Sequence, residues 1–335
     1  MQKEANEYPG QHALYPLCFR PIYKDYLWGG DRIIRRYKRK VPPGIYAESW
    51  EVCGRPEGMS EVMNGPLAGI TLHELSRQRG VDLLGTKVKG PTFPLLVKLI
   101  DAKDTLSVQV HPDDESTRLH GGEPKTEMWY ILEADKGACL YCGLKGGTVR
   151  PAFERAIGTK KFSTLMNTVP VRPGDAVYVP GGRVHAIGAG CMLLEVQQNS
   201  NTTYRLYDWD RFGPDGQPRE LHIAQAMQVI NWNDSQSVKV IPRKISQSGG
   251  NERWEVLTSP YFRLERFVLG ERMATGGLGE TFHILFVNQG SVGLKSRGFS
   301  EKALAGATWL IPATVRQYDI EPDHGRAEVI RIMVP

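Results

Sequence analysis

Most of this chain alternates short apolar and polar segments, a pattern that predicts many strands and few helices. The candidate strands are rich in β-branched or aromatic residues and cover residues 106–110, 128–132, 176–179, 192–196 and 203–207. Apolar residues recur at helical spacing in three other segments, 71–79, 150–168 and 221–230. Thr71 and Glu74 have the spacing of a capping box, Gly80 is expected to end that helix, and Gly158 is expected to break the second. The expected fold is therefore mainly β.

Two short patterns recur in the same order in the two halves of the chain. Glu127 begins a segment that ends at Gly137, and Glu280 begins one with the same spacing to Gly290. Downstream, the segment 174–180, Gly-Asp-Ala-Val-Tyr-Val-Pro, is echoed by 306–312, Gly-Ala-Thr-Trp-Leu-Ile-Pro. Two matches in one order favour duplication of a β unit.

The repeat predicts two domains. We expect an N-terminal β domain with helical insertions over residues 1–245 and a smaller C-terminal β domain over residues 246–335. The polar stretch 246–251 is the expected linker between them.

The composition is that of a folded globular chain. The 335 residues include 36 Gly and 22 Pro, an excess of turn formers that suits many short strands. With 41% hydrophobic and 24% charged residues, the chain is unlike disordered, collagen-like or coiled-coil sequences. The net charge of +5 is a weak bias and points to no strongly charged partner.

The sequence predicts neither a membrane nor a nucleic-acid partner, and it predicts no oligomeric state. No apolar stretch approaches the ~18 residues of a membrane span, and the basic run 32–40 is interpreted as a solvated face. The polar N-terminus is unlike a signal peptide, and five cysteines, an odd number, are typical of the reducing cytoplasm. Cys139 and Cys142 form a lone CxxC, which we interpret as two core residues of a strand.

A turn followed by a histidine gives the first chemical signal. Gly174, Pro180, Gly182 and His185 have the spacing G-x5-P-x-G-x2-H, which resembles the second signature of the cupin superfamily, small β-barrels that hold a metal ion inside. In physical terms, the proline and the glycines shape a tight turn between two strands, and the histidine enters the second strand.

Four residues form a plausible ligand set for a metal ion. Strand alternation places Gln109 and His111 on one face, and Glu127 begins the following strand. With His185 they supply two imidazoles, one carboxylate and one amide oxygen, which suits a divalent ion such as Zn²⁺. In the second repeat Glu280 is retained, but Gln317 stands where the last histidine would fall. We therefore expect one metal ion per chain and none in the C-terminal domain.

A longer pattern is similar to the type I mannose-6-phosphate isomerases. Its centre is the segment 106–113, Leu-Ser-Val-Gln-Val-His-Pro-Asp, and agreement continues in collinear order through 26–30, 48–51, 93–98, 125–129 and 195–208. These segments fall within residues 18–215, and the chain has the length of the short bacterial form. The resemblance implies a zinc-bearing cupin barrel with a second, degenerate β domain. It also implies interconversion of mannose 6-phosphate and fructose 6-phosphate by proton transfer between C1 and C2 through an enediol.

The resemblance implies roles for ten residues. The implied zinc ligands are Gln109, His111, Glu127 and His185; the implied catalytic residues are Arg205, Lys125 and Glu195; the implied substrate contacts are Ser107, Lys98 and Trp28. The substrate is a small phosphorylated sugar, which needs only a few local cations.

The sequence also departs from longer members of that family. Leu27 stands where they have an aspartate, so a proton-handling role for that aspartate does not apply here. Ile187 replaces an aromatic residue of some relatives, so the pocket wall is expected to differ.

Several alternatives remain open at this stage. Arg205 and Glu195 could form an ordinary ion pair, Lys125 could be solvated, and Asp113 could shape a turn. At the level of function, the alternatives are another metal-dependent cupin enzyme, such as an oxygenase, and a non-catalytic sugar-phosphate-binding protein. An oxygenase site typically uses redox-active iron and more histidines than this set contains.

Overall fold

The structure is a computed structural model that describes residues 12–213 and 216–335. Within these residues the five α-helices are α1 Arg32–Tyr37, α2 Leu72–Leu84, α3 Asp114–His120, α4 Arg150–Ala156 and α5 Ile223–Val229. Strands β1 to β12 are Leu17–Cys18, Ile22–Lys24, Glu48–Cys53, Leu95–Ala102, Val108–Val110, Glu127–Ala134, Cys139–Leu144, Met166–Pro170, Ala176–Val179, His185–Ile187, Cys191–Gln198 and Tyr204–Tyr207. Strands β13 to β23 are Lys239–Val240, Arg243–Ser248, Asn251–Thr258, Arg263–Leu269, Met273–Gly276, His283–Gln289, Ser291–Ser296, Phe299–Leu304, Thr308–Ile311, Gln317–Pro322 and Ala327–Met333. The prediction of a mainly β fold is confirmed.

One compact unit contains residues 23–50 and 95–241. Its strands lie in two sheets, with the orders β13-β9-β6-β11-β4-β3-β2 and β12-β5-β10-β7-β8. Side chains of both sheets, among them Trp129, Ile131, Leu140 and Ile187, pack in one buried apolar cluster. A second cluster joins β5 and β10 to α4 and α5 through residues such as Phe153 and Ala226. The two sheets therefore enclose an interior, and the helices cover the outside of the smaller sheet.

The other compact unit contains residues 12–22, 51–94 and 242–335 of the described chain. Its two sheets have the orders β1-β21-β18-β23-β16-β15-β14 and β17-β22-β19-β20. This unit repeats the two-sheet plan, and its core gathers Phe267, Leu285, Trp309 and Ile320.

These units differ from the predicted domains in where the N-terminal segments belong. The prediction assigned all residues up to 245 to the first domain, whereas residues 12–22 and 51–94 lie in the unit of the C-terminal strands. Long-range pairing is the reason: Leu17 of β1 lies opposite Leu310 of β21, and the backbone N–H of Ala313 donates to the carbonyl of Leu83.

The expected linker at 246–251 is a β-hairpin. Strands β14 and β15 pair from Arg243 opposite Glu255 to Ser248 opposite Asn251, and Gly249 and Gly250 form the turn. Polar residues cover this stretch because β14 is an exposed edge strand.

The three predicted helical segments are present with altered ends. Thr71 and Glu74 form the predicted capping box of α2. The backbone is non-helical at Gly80 as expected, but helical turns resume beyond it and bury Leu83 and Leu84. In the 150–168 segment, α4 and a 3₁₀ helix at Lys160–Leu165 flank the break at Gly158, and strand β8 takes the last residues. Helix α5 occupies most of the 221–230 segment.

The basic run at 32–40 forms α1 and uses several of its charges internally. Arg32 forms an ion pair with the buried Asp101 at 2.7 Å, and Arg36 forms one with Glu133 at 2.5 Å. Arg39 donates a hydrogen bond to Ser49. The run is thus partly a structural element rather than only a solvated face.

All five cysteines are free thiols. Cys142 of β7 is fully buried in the core, and burial raises its pKa to about 12.

In the part of the chain that the structure describes, none of the helices has the length and apolar character to cross a lipid bilayer.

Candidate metal centre and active site

One row of side chains crosses the smaller sheet at β5. Gln109 lies opposite Arg205 of β12 on one side and opposite His185 of β10 on the other. Residues paired in register point to the same face of a sheet, so these three side chains share the inner face. His111 lies two residues after Gln109 and adopts the same orientation by strand alternation.

A second row crosses the larger sheet. Glu195 of β11 lies opposite Trp129 of β6 and opposite Lys98 of β4. Glu127, two residues before Trp129, shares that face and lies opposite Gln197. The two rows meet inside the barrel and bring together residues that are far apart in sequence.

The turn between β9 and β10 delivers the last histidine. Gly182 adopts a φ of +84°, which favours glycine, and its N–H donates to the carbonyl of His111 at 2.7 Å. Gly181 packs so closely that an added Cβ would lie 2.6 Å from the Cα of Asp113. The turn is thus fixed directly against the segment that carries the other histidine.

Backbone carbonyls hold both imidazole rings. Nδ1 of His111 lies 2.9 Å from the carbonyl of Thr202, and Nδ1 of His185 lies 2.9 Å from the carbonyl of Arg183. An N–H at Nδ1 donates to each carbonyl and leaves Nε2 with a free lone pair. Both Nε2 atoms face Glu127, at 3.0 Å from Oε1 for His111 and 3.9 Å from Oε2 for His185.

The ligand set fits a divalent metal ion. Donor atoms of His111, Glu127 and His185 all lie within 4.8 Å of one another, and the three residues are buried. The Gln109 amide lies 3.4 Å from Nε2 of His185, so rotation of the amide places its oxygen toward the same point. Neither carboxylate oxygen of Glu127 accepts a hydrogen bond of good geometry from the described residues. Lys125 offsets part of the charge of this buried carboxylate from the Oε1 side, and a cation between Glu127 and the two imidazoles would complete the compensation.

The two histidines and Glu127 have the protonation states that metal binding requires. Burial lowers the pKa of both imidazoles, and the ammonium group of Lys125 adds to the effect at His111, whose pKa falls to about 3. Burial opposes ionisation of Glu127, but Lys125 and His111 hold the pKa of its carboxyl well below its usual range. Neutral imidazoles beside an ionised carboxylate are ready to coordinate a cation without losing protons.

Lys125 lies beside this cluster rather than in solvent. It is 5% exposed, contacts Oε1 of Glu127, and its Nζ lies 3.2 Å from Nε2 of His111. The solvated alternative for this lysine is therefore wrong.

Lys98 and Glu195 form a buried pair in the second row. Their charged groups lie 3.2 Å apart, and Nε1 of Trp129 donates to Oε2 of Glu195 at 3.1 Å. Burial, followed by the negative charge of Glu127, raises the pKa of Glu195. Burial opposes the charge of Lys98, but Glu48 and Glu195 raise its pKa. The lysine stays cationic while the carboxyl moves toward a pKa at which it can exchange protons.

A cavity of about 300 Å³ opens over these residues. Its walls include seven of the ten predicted site residues, Trp28, Lys98, Ser107, Gln109, Lys125, Glu195 and Arg205. The other three, His111, Glu127 and His185, are the cluster that contacts Gln109 and Lys125. Ile187 also lines the cavity, in agreement with the expectation that it forms part of the wall.

The structure separates two residues that could have formed an ion pair. Glu195 contacts Lys98 and Trp129, whereas Arg205 donates from Nη1 to the carbonyl of Glu220 at 2.8 Å. Their strands belong to different sheets. Asp113 does shape a turn, because it caps α3 through Ser116.

Sequence reasoning missed several cavity residues. Glu48 accepts a hydrogen bond from Nε1 of Trp50 at 2.7 Å and lies 3.7 Å from Nζ of Lys98. Both belong to a segment already identified as similar to the family, and their i, i+2 spacing on a strand could have placed them on one face. Tyr26 and Arg219 also line the cavity, but no spacing pattern indicates them.

Strand register pairs the residues of the second repeat with those of the first differently from the spacing in the sequence. Glu127 lies opposite Val179, and in the other unit His283 lies opposite Ile311, the residue that matches Val179 in the repeated Val-Pro and Ile-Pro pairs. His283, rather than Glu280, is therefore the counterpart of Glu127, while Gln317 lies opposite Gly276 much as His185 lies opposite Gln109. Glu280 precedes the strand and is half-exposed.

Comparison with known proteins identifies a consistent set of relatives. Residues 17–138 match the family model of the phosphomannose isomerase type I catalytic domain. A Bacillus subtilis (strain 168) protein described as a probable mannose-6-phosphate isomerase is 37% identical over 92% of this chain and 96% of its own. Mannose-6-phosphate isomerase from Streptococcus mutans is 34% identical over 92% of this chain and 96% of its own. The crystal structure of the mannose 6-phosphate isomerase from Bacillus subtilis superposes with a TM-score of 0.86 at 31% identity, covering 95% of this chain and 99% of that one.

Proposed function

Because this chain belongs to the type I mannose-6-phosphate isomerase family, we propose that it interconverts mannose 6-phosphate and fructose 6-phosphate with one bound Zn²⁺. The observation that carries the proposal is the meeting of His111, Glu127 and His185 beside a cavity walled by Lys98, Glu195 and Arg205. Gln109 completes the proposed ligand set. The odd cysteine count supports a cytoplasmic location, which stays a prediction.

The reaction moves one proton between neighbouring carbons. A base takes the proton from C2 of the open-chain aldose, the C–H electron pair becomes the C1–C2 double bond, and the carbonyl π pair moves onto O1. O1 of the resulting enediolate takes up a proton to give the enediol, and the enediol then receives the carried proton at C1 while O2 releases a proton, which leaves a ketose. Nothing is gained or lost overall, so the protein needs a proton carrier and a stabiliser of negative charge on O1 and O2.

A bound divalent cation would supply Lewis-acid polarisation of the substrate oxygens. The protein supplies the rest. Glu195 is the proposed proton carrier because its pKa is raised and it lies on the cavity wall. Lys98 orients that carboxylate and stays charged, which makes it a substrate contact rather than a base.

Two further cations face the developing charge. Arg205 presents a guanidinium to the cavity, and the positive charge of this group stabilises the enediolate oxygens. Lys125 is held by Glu127 next to the ligand cluster and serves as a second proton-transfer group. Ser107 and Trp28 complete the wall that positions the sugar.

The direct test is an isomerase assay on mannose 6-phosphate, with elemental analysis of the same sample. We expect fructose 6-phosphate to form, about one zinc per chain, loss of turnover after chelation, and recovery on adding Zn²⁺ back. Undiminished turnover in fully metal-stripped protein would contradict the metal mechanism.

The same samples separate the alternative functions. A metal-loaded protein that binds mannose 6-phosphate without converting it would be a sugar-phosphate-binding protein. Iron in place of zinc, with consumption of oxygen, would indicate a cupin oxygenase.

A further inference from the structure

Arg219, on the wall of the cavity, and Arg211, on the wall of an adjacent cavity, hold one buried carboxylate between them. Asp208 is 6% exposed and accepts two hydrogen bonds from Arg219, from Nε at 2.7 Å and from Nη2 at 2.6 Å. It also accepts one from Nη2 of Arg211 at 2.5 Å. Burial alone would raise the pKa of Asp208, but the hydrogen bonds from Arg219 and Arg211 lower it, so the carboxylate is ionised. Both guanidinium groups are thus fixed in direction.

A third arginine lies next to this group. Arg205 donates Nη1 to a backbone carbonyl, and its Nε is buried without a hydrogen-bond partner among the described residues. Burial, followed by the positive charges of Arg219 and Arg211, lowers the pKa of Arg205 despite the opposing carboxylate of Asp208. Three guanidinium groups surround one buried carboxylate, whereas the two other carboxylates of this wall, Asp25 and Glu220, are exposed to solvent. We call Arg205, Arg211, Arg219 and Asp208 the arginine cluster.

The inner part of the cavity has the opposite balance. Lys98 faces Glu48 and Glu195, and Lys125 faces Glu127. Two ammonium groups therefore meet three carboxylates before any metal ion is counted. A phosphate dianion is repelled by such carboxylates and attracted by the arginine cluster.

From this separation of charge we infer that Arg219 and Arg211, oriented by Asp208, bind the phosphate group of the substrate and select phosphorylated over free sugars. The inference rests on the proposed function. Guanidinium groups bind phosphate through paired, charge-assisted hydrogen bonds, and a pre-oriented group loses little freedom on binding. Arg219 and Tyr26 line both the metal-side cavity and an adjacent cavity that contains Arg211. The phosphate end of the sugar can therefore lie at the arginines while C1 and C2 point toward Glu195.

The test is a comparison of Arg219→Gln with wild-type holoenzyme. We expect the KM for mannose 6-phosphate and the competitive inhibition constant of inorganic phosphate to rise together, by about tenfold to a hundredfold, with a smaller change in kcat. A purely structural role for Arg219 would lower the melting temperature but leave the inhibition constant of phosphate unchanged. Values of both constants within about twofold of wild type would overturn the inference.

Two further variants keep the test decisive. Arg211→Gln is expected to weaken phosphate inhibition in the same direction, and it serves if Arg219→Gln does not fold. Arg172→Gln is the matched control, because Arg172 is an exposed arginine of the same unit that also faces a carboxylate, Asp175. Its constants are expected to equal those of wild type.

Direct titration separates this inference from the proposed function. Inorganic phosphate binding, measured by calorimetry on the metal-loaded protein, does not depend on turnover. Wild-type protein that binds phosphate more tightly than both arginine variants, yet isomerises nothing, would support the phosphate site and contradict the isomerase. Turnover of mannose 6-phosphate by the wild-type protein, with phosphate binding unchanged in both arginine variants, would support the isomerase and contradict the phosphate site.

Discussion

Two buried histidines, one in each compact unit, have different surroundings. Burial lowers the pKa of His111 and of His283 to about 3 in each case. His111 faces Glu127 and Lys125 in the proposed metal cluster. His283 instead lies 2.8 Å from the hydroxyl of Tyr318, with the charges of Arg331, Glu265 and Arg253 nearby. Its neutrality therefore affects the stability of the fold rather than the chemistry.

We predict that His283 makes the folded protein sensitive to mild acid. An unfolded imidazole binds a proton below its ordinary pKa of about 6.5, whereas the folded one stays neutral down to about 3. The unfolded state then binds more protons, so stability is complete above about pH 6.5 and falls by up to about 1.4 kcal/mol per pH unit below it.

Chemical denaturation of wild type and His283→Gln between pH 7 and pH 5 measures this effect. The free energy of unfolding should fall more steeply for wild type than for the variant. His324→Gln, which removes an imidazole that is 94% exposed, is the control and should run parallel to wild type. Equal slopes for wild type and His283→Gln would contradict the prediction.

At the level of secondary structure elements, the turn between β9 and β10 positions the proposed centre. Gly181 donates its N–H to the hydroxyl of Thr126, next to Glu127, and Gly182 donates to the carbonyl of His111. One turn therefore contacts the segments of two proposed ligands and delivers a third, His185. Because the backbones approach so closely, the turn has no space for a side chain at Gly181.

We predict that Gly181→Ala weakens metal binding as well as stability. The new methyl group would lie 2.6 Å from the Cα of Asp113, and such crowding costs about 1–3 kcal/mol. Gly146→Ala is the matched control, because a Cβ there meets nothing within 4 Å and the backbone needs no positive φ. Metal titration and thermal unfolding of both variants test this, and wild-type metal affinity in Gly181→Ala would contradict it.

At the scale of the whole molecule, local sequence patterns predicted the fold class correctly, but they did not predict which distant segments of the chain pair with one another. Alternation along strands reports which residues face inward, and the short alternating segments correctly predicted a mainly β fold. It carries no information on pairing between distant segments, so the placement of 51–94 with the C-terminal strands was missed. For the same reason, equal spacing suggested Glu280 as the counterpart of Glu127, whereas strand register identifies His283.

The candidate site likewise combines residues that sequence motifs indicate with residues that only the folded structure brings together. The motifs indicated ten residues that the structure gathers around one cavity. They could not indicate Arg219, which lies beyond the last matching segment and contacts Asp208 only because the chain folds back over the wall. Charge balance within a cavity is a property of the folded molecule and has no signature in linear sequence.

The most direct test of the proposed metal site and active site compares His185→Ala with Arg205→Ala in purified, folded protein. We predict that His185→Ala loses both metal and activity, because the ligand set is broken. Arg205→Ala should keep about one metal ion per chain but lose about 10²–10³-fold in kcat on mannose 6-phosphate. Elemental analysis and turnover are measured on the same samples. Full activity in Arg205→Ala would contradict the proposed catalytic role of Arg205, and metal retained in His185→Ala would contradict the proposed ligand set.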